Sequence, residues 1–377
     1  MNKINVCHFT NIITGKTDGV YAHLKMIFGF TDSSKFQQYL VFGGNSDIEA
    51  EVKNLGVKVH VIKSLNKKLS FRCFKEFYLF VKAENIEIIH THFLKPYSIA
   101  GLVNILLRKK MIYNYHGLFI DNLYNARLDK FIYKRIHSLL NYLNVVNITL
   151  VPSYSSRRIL MDETKKFKSI EVYYNGYDDN KVGQIEPEIA KFFEALKKTF
   201  FVIGIVARID IQKRIDLALE IAKKLTEKNS NIYFVIMGDG PLEDEMSKKV
   251  EVMKLGKKVR MMGYVLNAKF YVKYFDMLLL TSDWEGFPLS IWEAMAARVP
   301  VVSTNVGGIK EILETEKCGV VYSRGDVNGA VKAILELISD QKKRKEMGQN
   351  GLNAIKRRYN SKAFADFFNN LYSSLST

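Results

Sequence analysis

The chain has 377 residues, of which 47% are apolar and 25% charged, and its three cysteines (Cys7, Cys73 and Cys318) are widely scattered. These values exclude a disordered or fibrous chain, a disulfide framework and a cysteine-rich zinc site. The formal charge of +17 is uneven: residues 51–150 carry +10 and residues 201–350 only +3. The first half therefore offers a cationic surface to nucleic acid, anionic lipid or an acidic substrate, unless its lysines serve only to solvate helices.

The longest uncharged run, 136–156, holds three Asn, a His and a Pro, which is too polar for a bilayer span. No small-residue cleavage site follows the N-terminal run MNKINVCHFTNII, so no signal peptide is expected. The expectation is a soluble, reduced, cytoplasmic protein.

From the start, short β-branched runs alternate with helical stretches, as in a parallel sheet with helical crossovers. Strands are predicted at 4–9, 39–42, 57–62, 86–90, 111–115, 148–151 and 170–173, with helices such as 71–82 and 128–142 between them. Polar clusters follow the first, fourth and fifth strands: Thr10 to Gly19, His90 with His92, and His116-Gly117. Such sheets bind ligands at the carboxyl ends of their strands. In the helix at 71–82, Phe71, Phe74, Phe77, Tyr78 and Phe80 alternate with Arg72, Lys75 and Lys82, behind Lys67 and Lys68. That pattern fits a membrane-surface helix, and equally a helix whose aromatic face packs on the sheet.

A polar join at 180–198 holds Pro187. Beyond it a second alternation begins, with strands at 201–206, 232–237, 259–262, 277–280, 299–303 and 319–322. Helices are predicted at 215–228 and 241–255, and residues 341–375 read as helix almost throughout. The predicted fold class is α/β: two Rossmann-like, doubly wound domains facing across a cleft. The expected divisions are 1–185, 198–355, and a terminal helix at 356–377 that packs back on the first domain.

Three segments of the second half carry chemistry. In Thr281-Ser-Asp-Trp-Glu285-Gly286-Phe287-Pro288-Leu289-Ser290-Ile291-Trp292-Glu293 a buried strand ends, a loop follows, and a helix starts near Pro288, which suits a first turn. The amides of Leu289 and Ser290 are then helix-start donors, suited to phosphate. Glu285 in the loop and Glu293 inside the helix are placed to meet different parts of one ligand, and carboxylates suit sugar hydroxyls. The second segment, Gly204 to Lys213, puts Arg208 and Lys213 at a strand-to-helix turn, spaced so that both reach one diphosphate. The third, Gly238-Asp239-Gly240-Pro241, reads as a structural turn. His90-Thr91-His92 resembles a metal pair, yet no third ligand stands at useful spacing in the sequence.

The order VARIDIQKRID, IMGDGPLEDEM, VRMMGYV, EGFPLSIWEAMA, VPVVSTNVGGIKEI and GVVYSRGD resembles the retaining GT-B glycosyltransferases of the large group four family (glycosyl transferases group 1). Glu285 and Glu293 match that family's E-x7-E motif. The first half agrees more loosely through HTHF, YHGL and Tyr174-Asn175-Gly176-Tyr177-Asp178.

The resemblance implies a nucleotide-sugar substrate, UDP-linked, with no cofactor and no metal; no Asp-x-Asp is present. It places Arg208 and Lys213 on the diphosphate and Glu293 on the ribose. Gly263, Tyr264 and Val265 would meet the base. Glu285 and the backbone at Phe287, Pro288, Leu289 and Ser290 would hold the donor sugar, His116 would contact that sugar near the reacting carbon, and Gly19 would lie against the phosphates. The implied reaction is a same-face substitution in which charge grows on the departing diphosphate. Fixed cations and amides neutralise such charge.

The sequence departs from the family pattern in its Gly15-to-Gly19 loop and in placing Arg214 and Arg298 where glycine is usual. The expected activity is sugar transfer to a lipid-linked or growing glycan in cell-surface polysaccharide synthesis, at the inner membrane face, with no nucleic-acid partner. Peripheral contact with an anionic membrane stays open, as do a nucleotide-sugar epimerase and a non-catalytic nucleotide-sugar-binding protein on the same fold.

Overall fold

A computed structural model describes residues 3–11, 13, 19–44, 46–66, 71–116, 127–164, 169–178, 183–286 and 288–376. It divides into two compact units, Met1–Gly176 with Ser361–Thr377, and Tyr177–Asn360.

The first unit runs β1 (Ile4–Phe9), α1 (Gly19–Phe30), β2 (Phe36–Phe42), α2 (Ser46–Asn54), β3 (Lys58–Val61), α3 (Phe71–Ala83), β4 (Ile88–His92), α4 (Leu94–Leu107), β5 (Lys110–Asn114), α5 (Arg127–Tyr142), β6 (Ile148–Val151), α6 (Tyr154–Thr164) and β7 (Ile170–Val172). Its seven parallel strands lie in the order β3-β2-β1-β4-β5-β6-β7. The strand order reverses between β1 and β4, the point where doubly wound sheets open a crevice at their carboxyl edge. His8 and His90 are direct register partners there.

Most strand ends shift from expectation by a residue or two, and two of the shifts bear on the site. β2 starts at Phe36, three residues early, because its polar Gln38 is buried and hydrogen-bonded rather than solvated. β4 runs to His92, so His90 and His92 are fully buried strand residues and not part of a following loop.

The aromatic face of α3 packs inward. Cys73, Phe77, Phe80 and Val81 are buried, with Phe77 stacked on Phe9 at 4.1 Å between ring centroids. Full burial of one such ring contributes about 2–3 kcal/mol. Only Phe71 and Leu79 of this helix stand out as exposed large apolar side chains; Lys67 and Lys68 lie outside the described residues.

The second unit contains α7 (Pro187–Lys197), β8 (Phe201–Val206), α8 (Ile215–Lys228), β9 (Ile232–Met237), α9 (Glu243–Val252), β10 (Val259–Met261), β11 (Met277–Leu280), α10 (Leu289–Ala296), β12 (Val301–Thr304), α11 (Ile309–Thr315), β13 (Gly319–Tyr322), α12 (Val327–Ser339) and α13 (Gln341–Arg358). Its six parallel strands are ordered β10-β9-β8-β11-β12-β13, so the switch point falls between β8 and β11.

The helix expected from 241 begins at Glu243, after a turn in which Leu242 donates its amide to Ile209 O. The helical tail is interrupted after Arg358, where α13 ends, close to the expected start of a terminal helix at 356. At that break Tyr177 donates its amide to Tyr359 O at 2.7 Å. A separate α14 (Ser361–Ser376) then buries Phe364, Phe368, Leu371 and Tyr372 in the core of the first unit. Among the described residues no helix is long and apolar enough to cross a membrane.

Candidate active site

The switch point of the second unit gathers the loops after β8 and β11. Asp283 donates its amide to Gln212 O at 2.9 Å, and Thr281 Oγ1 donates to Lys213 O at 2.8 Å, which fastens the two loops together. Lys213 Nζ then donates to Glu285 Oε1 at 2.6 Å, with only 18% and 5% of the two side chains exposed. Ser282 Oγ donates to the same oxygen at 2.7 Å, and Gln212 Nε2 reaches Oε2 at 3.3 Å and Trp284 O at 2.8 Å. A buried carboxylate needs such partners, since an unpaired one is strongly disfavoured.

The sequence reading put Lys213 and Arg208 within reach of one diphosphate. In the structure Lys213 is also paired with Glu285, a contact the spacing did not foretell. Arg208 stays exposed, with only a 3.9 Å approach to Asp210.

Glycine makes the close approach at Glu285 possible. Gly307 has φ +57°, and a β-carbon there would lie 2.2 Å from Glu285 O. The β12–α11 loop can therefore lie against this carbonyl only with glycine.

α10 starts at Leu289, so Pro288 is its cap residue with extended backbone (φ −73°, ψ 127°) and not part of its first turn. Proline offers no side-chain acceptor there. Among the described residues the amides of Leu289 and Ser290 have no acceptor, while that of Ile291 is bonded to Pro288 O. Lys213, Thr281, Ser282, Glu285 and Ser290 line one small hollow, floored by Val206 and Leu280. The hollow is no larger than about one water molecule; what suits an anion is the helix start and the ammonium side by side at its edge. Phe287 lies outside the described residues.

Glu293, half-buried in the second turn of α10, has its carboxyl lifted to about 7 by desolvation, against a weaker opposing pull from Lys269. Gly263 adopts φ +64° and accepts the Gly238 amide at 2.8 Å, which joins the ends of β9 and β10. Next to it Tyr264 is 54% exposed and Val265 is buried.

The two departures from the family's glycines fall on left-handed backbone, Arg214 at φ +49° and Arg298 at φ +59°. Arg214 binds Asp216 at 2.9 Å and Asp283 at 3.1 Å, interactions glycine could not make.

In the first unit Gly19 opens α1, after residues 14–18 that lie outside the described set. His116 follows β5 and belongs to a cluster of five of the seven histidines: His8, His23, His90, His92 and His116. The third imidazole that linear spacing failed to supply for His90 and His92 is His8. Nitrogens of these three lie within 4.8 Å of one another, because sheet pairing joins distant segments. The rings are stacked, His8 on His92 and His90 on His92, and both nitrogens of His8 and of His92 are already engaged in hydrogen bonds. Asn175, from the Tyr174–Asp178 segment, meets His23 Nδ1 through its Oδ1 at 3.0 Å.

The profile described as Glycosyl transferases group 1 matches residues 187–354, and that described as Glycosyltransferase Family 4 matches 36–181. The chain is 28% identical over 174 residues to the poly(ribitol-phosphate) alpha-N-acetylglucosaminyltransferase of Staphylococcus aureus, across 46% of this chain and 35% of that protein's length. It is 25% identical over 331 residues to the UDP-Gal:alpha-D-GlcNAc-diphosphoundecaprenol alpha-1,3-galactosyltransferase of Escherichia coli, covering 85% and 82% of the two chains. Its fold matches the crystal structure of Anabaena Alr3699/HepE in complex with UDP, with a TM-score of 0.83, 17% identity, and coverage of 98% and 100%.

Proposed function

The chain belongs to the group 1 glycosyltransferases of GT-B fold, and we propose that it moves a sugar, with retention and without a metal, from a UDP-linked donor to a lipid-linked or growing glycan in cell-surface polysaccharide synthesis. One observation carries the reading: the unbonded amides of Leu289 and Ser290 open a helix beside the Lys213–Glu285 pair, at the switch point of the second sheet.

In this reading the helix start and Lys213 take up charge developing on the leaving diphosphate, with the exposed Arg208 joining as a guanidinium fork. The Glu285 carboxylate accepts hydroxyls of the donor sugar while its second bond to Ser282 holds its direction. Glu293 accepts from the ribose, Gly263 to Val265 border the base, and His116 contacts the donor sugar. The names of the relatives support both a UDP donor and an acceptor built on a polymer or a polyprenyl diphosphate.

Peripheral attachment at the cytoplasmic membrane face fits the surface of the first unit. Leu106, Leu143 and Tyr142 are exposed at the adjoining ends of α4 and α5, next to the cations Arg108, Lys109 and Lys110.

The test is a screen of nucleotide sugars by thermal shift and turnover, followed by product analysis with membrane extract. A UDP-sugar that stabilises the protein and is consumed only with acceptor supports the reading. Consumption without acceptor, releasing an epimerised sugar, would replace it, and inertness toward all nucleotide sugars would end it.

A further inference from the structure

The histidine cluster of the first unit contains a hydrogen-bond relay whose polarity is fixed from one end. Thr31 Oγ1 donates its only proton to Ile27 O at 2.7 Å. Gln38 Nε2 must therefore donate to Thr31 Oγ1, at 3.1 Å, which turns Gln38 Oε1 toward His8. An amide oxygen only accepts, so His8 donates from Nε2 at 2.8 Å.

The rest follows for neutral rings, each of which has one donor and one acceptor nitrogen. His8 Nδ1 accepts from His92 Nε2–H at 3.2 Å, and His92 Nδ1 accepts from His116 Nε2–H at 3.1 Å. His116 is left with its lone pair on Nδ1, which no described residue engages. Burial keeps every ring of the relay neutral: His8 is pushed down to about 3, and His92 and His116 lie well below the ordinary imidazole range. Alongside, Asn114 Nδ2 donates to His23 Nε2 at 2.9 Å, and His23 stands edge-on to His116 with ring centroids 5.4 Å apart.

We propose that Gln38, His8 and His92 are positioning residues that lock His116 in its Nε2–H tautomer, so that the nitrogen it offers a bound donor sugar is an acceptor, Nδ1, matched to a sugar hydroxyl. The role of His116 toward sugar rests on the glycosyltransfer reading, whereas the wiring stands on hydrogen bonds alone. A histidine free to choose would spend part of its time offering a proton where the substrate also offers one. The relay removes that choice before substrate arrives.

The experiment is long-range 1H–15N imidazole spectroscopy on the full chain labelled at histidine. Peaks are assigned from single histidine variants. His8, His92 and His116 are expected to carry their protons on Nε2, and a proton on Nδ1 of His92 or His116 would overturn the proposal.

Gln38→Glu then tests the direction of control. The introduced carboxylate draws a second proton onto His8, which reverses each bond of the relay and moves the His116 proton to Nδ1. With a UDP-sugar that the screen has identified, kcat should fall about tenfold, the worth of one hydrogen bond, with KM for the donor almost unchanged. A folded Gln38→Glu protein with His8 doubly protonated and the original His116 tautomer would overturn the relay, whereas a neutral acid at this buried position mimics the amide, and the wild-type spectrum then decides. Should that variant not fold, the wild-type spectrum decides alone. The expected tautomers in a protein inert to all nucleotide sugars would keep the wiring and remove its catalytic purpose.

Discussion

Lys213 Nζ and Glu285 Oε1 stand 2.6 Å apart, and each has most of its side chain withdrawn from water. Removing one partner of such a pair strands the other, which typically costs about 3 kcal/mol or more, while replacing both with neutral groups costs less. Lys213→Met should therefore destabilise the second unit more than the double variant Lys213→Met with Glu285→Gln. Donor affinity should follow a different order, because both variants lack the cation. Denaturant melts and UDP titrations on the same proteins separate the two effects. Equal donor affinity in wild type and both variants would show the pair to be purely structural.

Glu293 gives the second unit a pH dependence of definite sign. Its carboxyl is lifted from 4.5 to about 7 in the folded chain. Below about pH 4.5 folded and unfolded chains both hold the proton. Between about 4.5 and 7 the unfolded chain releases it first, so stability is lost as pH rises through that window and levels off above 7. The expected loss is about 2 kcal/mol, discounted for the partial exposure of the side chain. Glu293→Gln should flatten that part of the stability curve, as measured by urea unfolding at pH 5 and pH 8. UDP binding should weaken in this variant chiefly above pH 7, where the native side chain is a carboxylate able to accept from both ribose hydroxyls.

Much of the scaffold was legible because fully buried parallel strands are short apolar runs closed by polar residues. β8, α8, β9, β11 and β13 fall where the sequence put them. What escaped was non-local. Gln37-Gln38 lies before the expected start of β2 until Gln38 is seen bonded to His8, and Thr91-His92 lies past the expected end of β4 until β1 and β5 are seen on either side. In the second unit the E-x7-E spacing and the cations could be read directly. The pairing of Lys213 with Glu285 could not, since it depends on two loops fastened through Asp283 and Gln212.

Arg298 offers a test of backbone strain that leaves the site untouched. It is exposed, at φ +59°, and among the described residues no ion pair offsets that conformation as Asp216 and Asp283 do for Arg214. Relief of a left-handed side chain is worth about 1 kcal/mol, partly offset by the greater freedom of glycine in the unfolded chain. Arg298→Gly should raise Tm by about 2 °C, the shift expected for a gain of this size in a domain of this length. Arg214→Gly should fail to stabilise, because it gives up both ion pairs along with the strain. Differential scanning calorimetry of the two single variants distinguishes these outcomes.

The apolar end of α4 and α5 makes a separate prediction. Leu106 is 64% exposed and Tyr142 70%, and Asn104 Nδ2 donates to Val145 O at 3.4 Å, which brings the two helix ends together. Leu106→Ser with Tyr142→Ser should lower co-sedimentation with vesicles containing anionic lipid by about tenfold, given about 25 cal/mol for each Å² of apolar surface withdrawn from water. Failure of the wild type to sediment with these vesicles would remove membrane attachment from the proposed function, and sedimentation that survives the substitutions but is lost in high salt would point to Arg108–Lys110.

The buried imidazoles give the first unit the opposite pH response from Glu293. His8 is held down to about 3 and His23 to about 4, with His90, His92 and His116 also well below their ordinary range, in each case chiefly through desolvation. Unfolded histidines take up protons as pH falls through about 6.5, while these stay neutral, so stability is present above that value and drains away below it. Each ring adds up to about 1.4 kcal/mol per pH unit between 6.5 and its folded value. Acid unfolding of the first unit should therefore begin near pH 6 and be steep. Replacing His116, the member at the relay's open end, with Ala should leave most of that steepness intact while lowering kcat more than donor affinity. Tryptophan fluorescence reports only the second unit, where Trp284 and Trp292 lie. The histidine C2–H resonances report the first, and a melt at pH 5 that leaves them native-like would contradict the account.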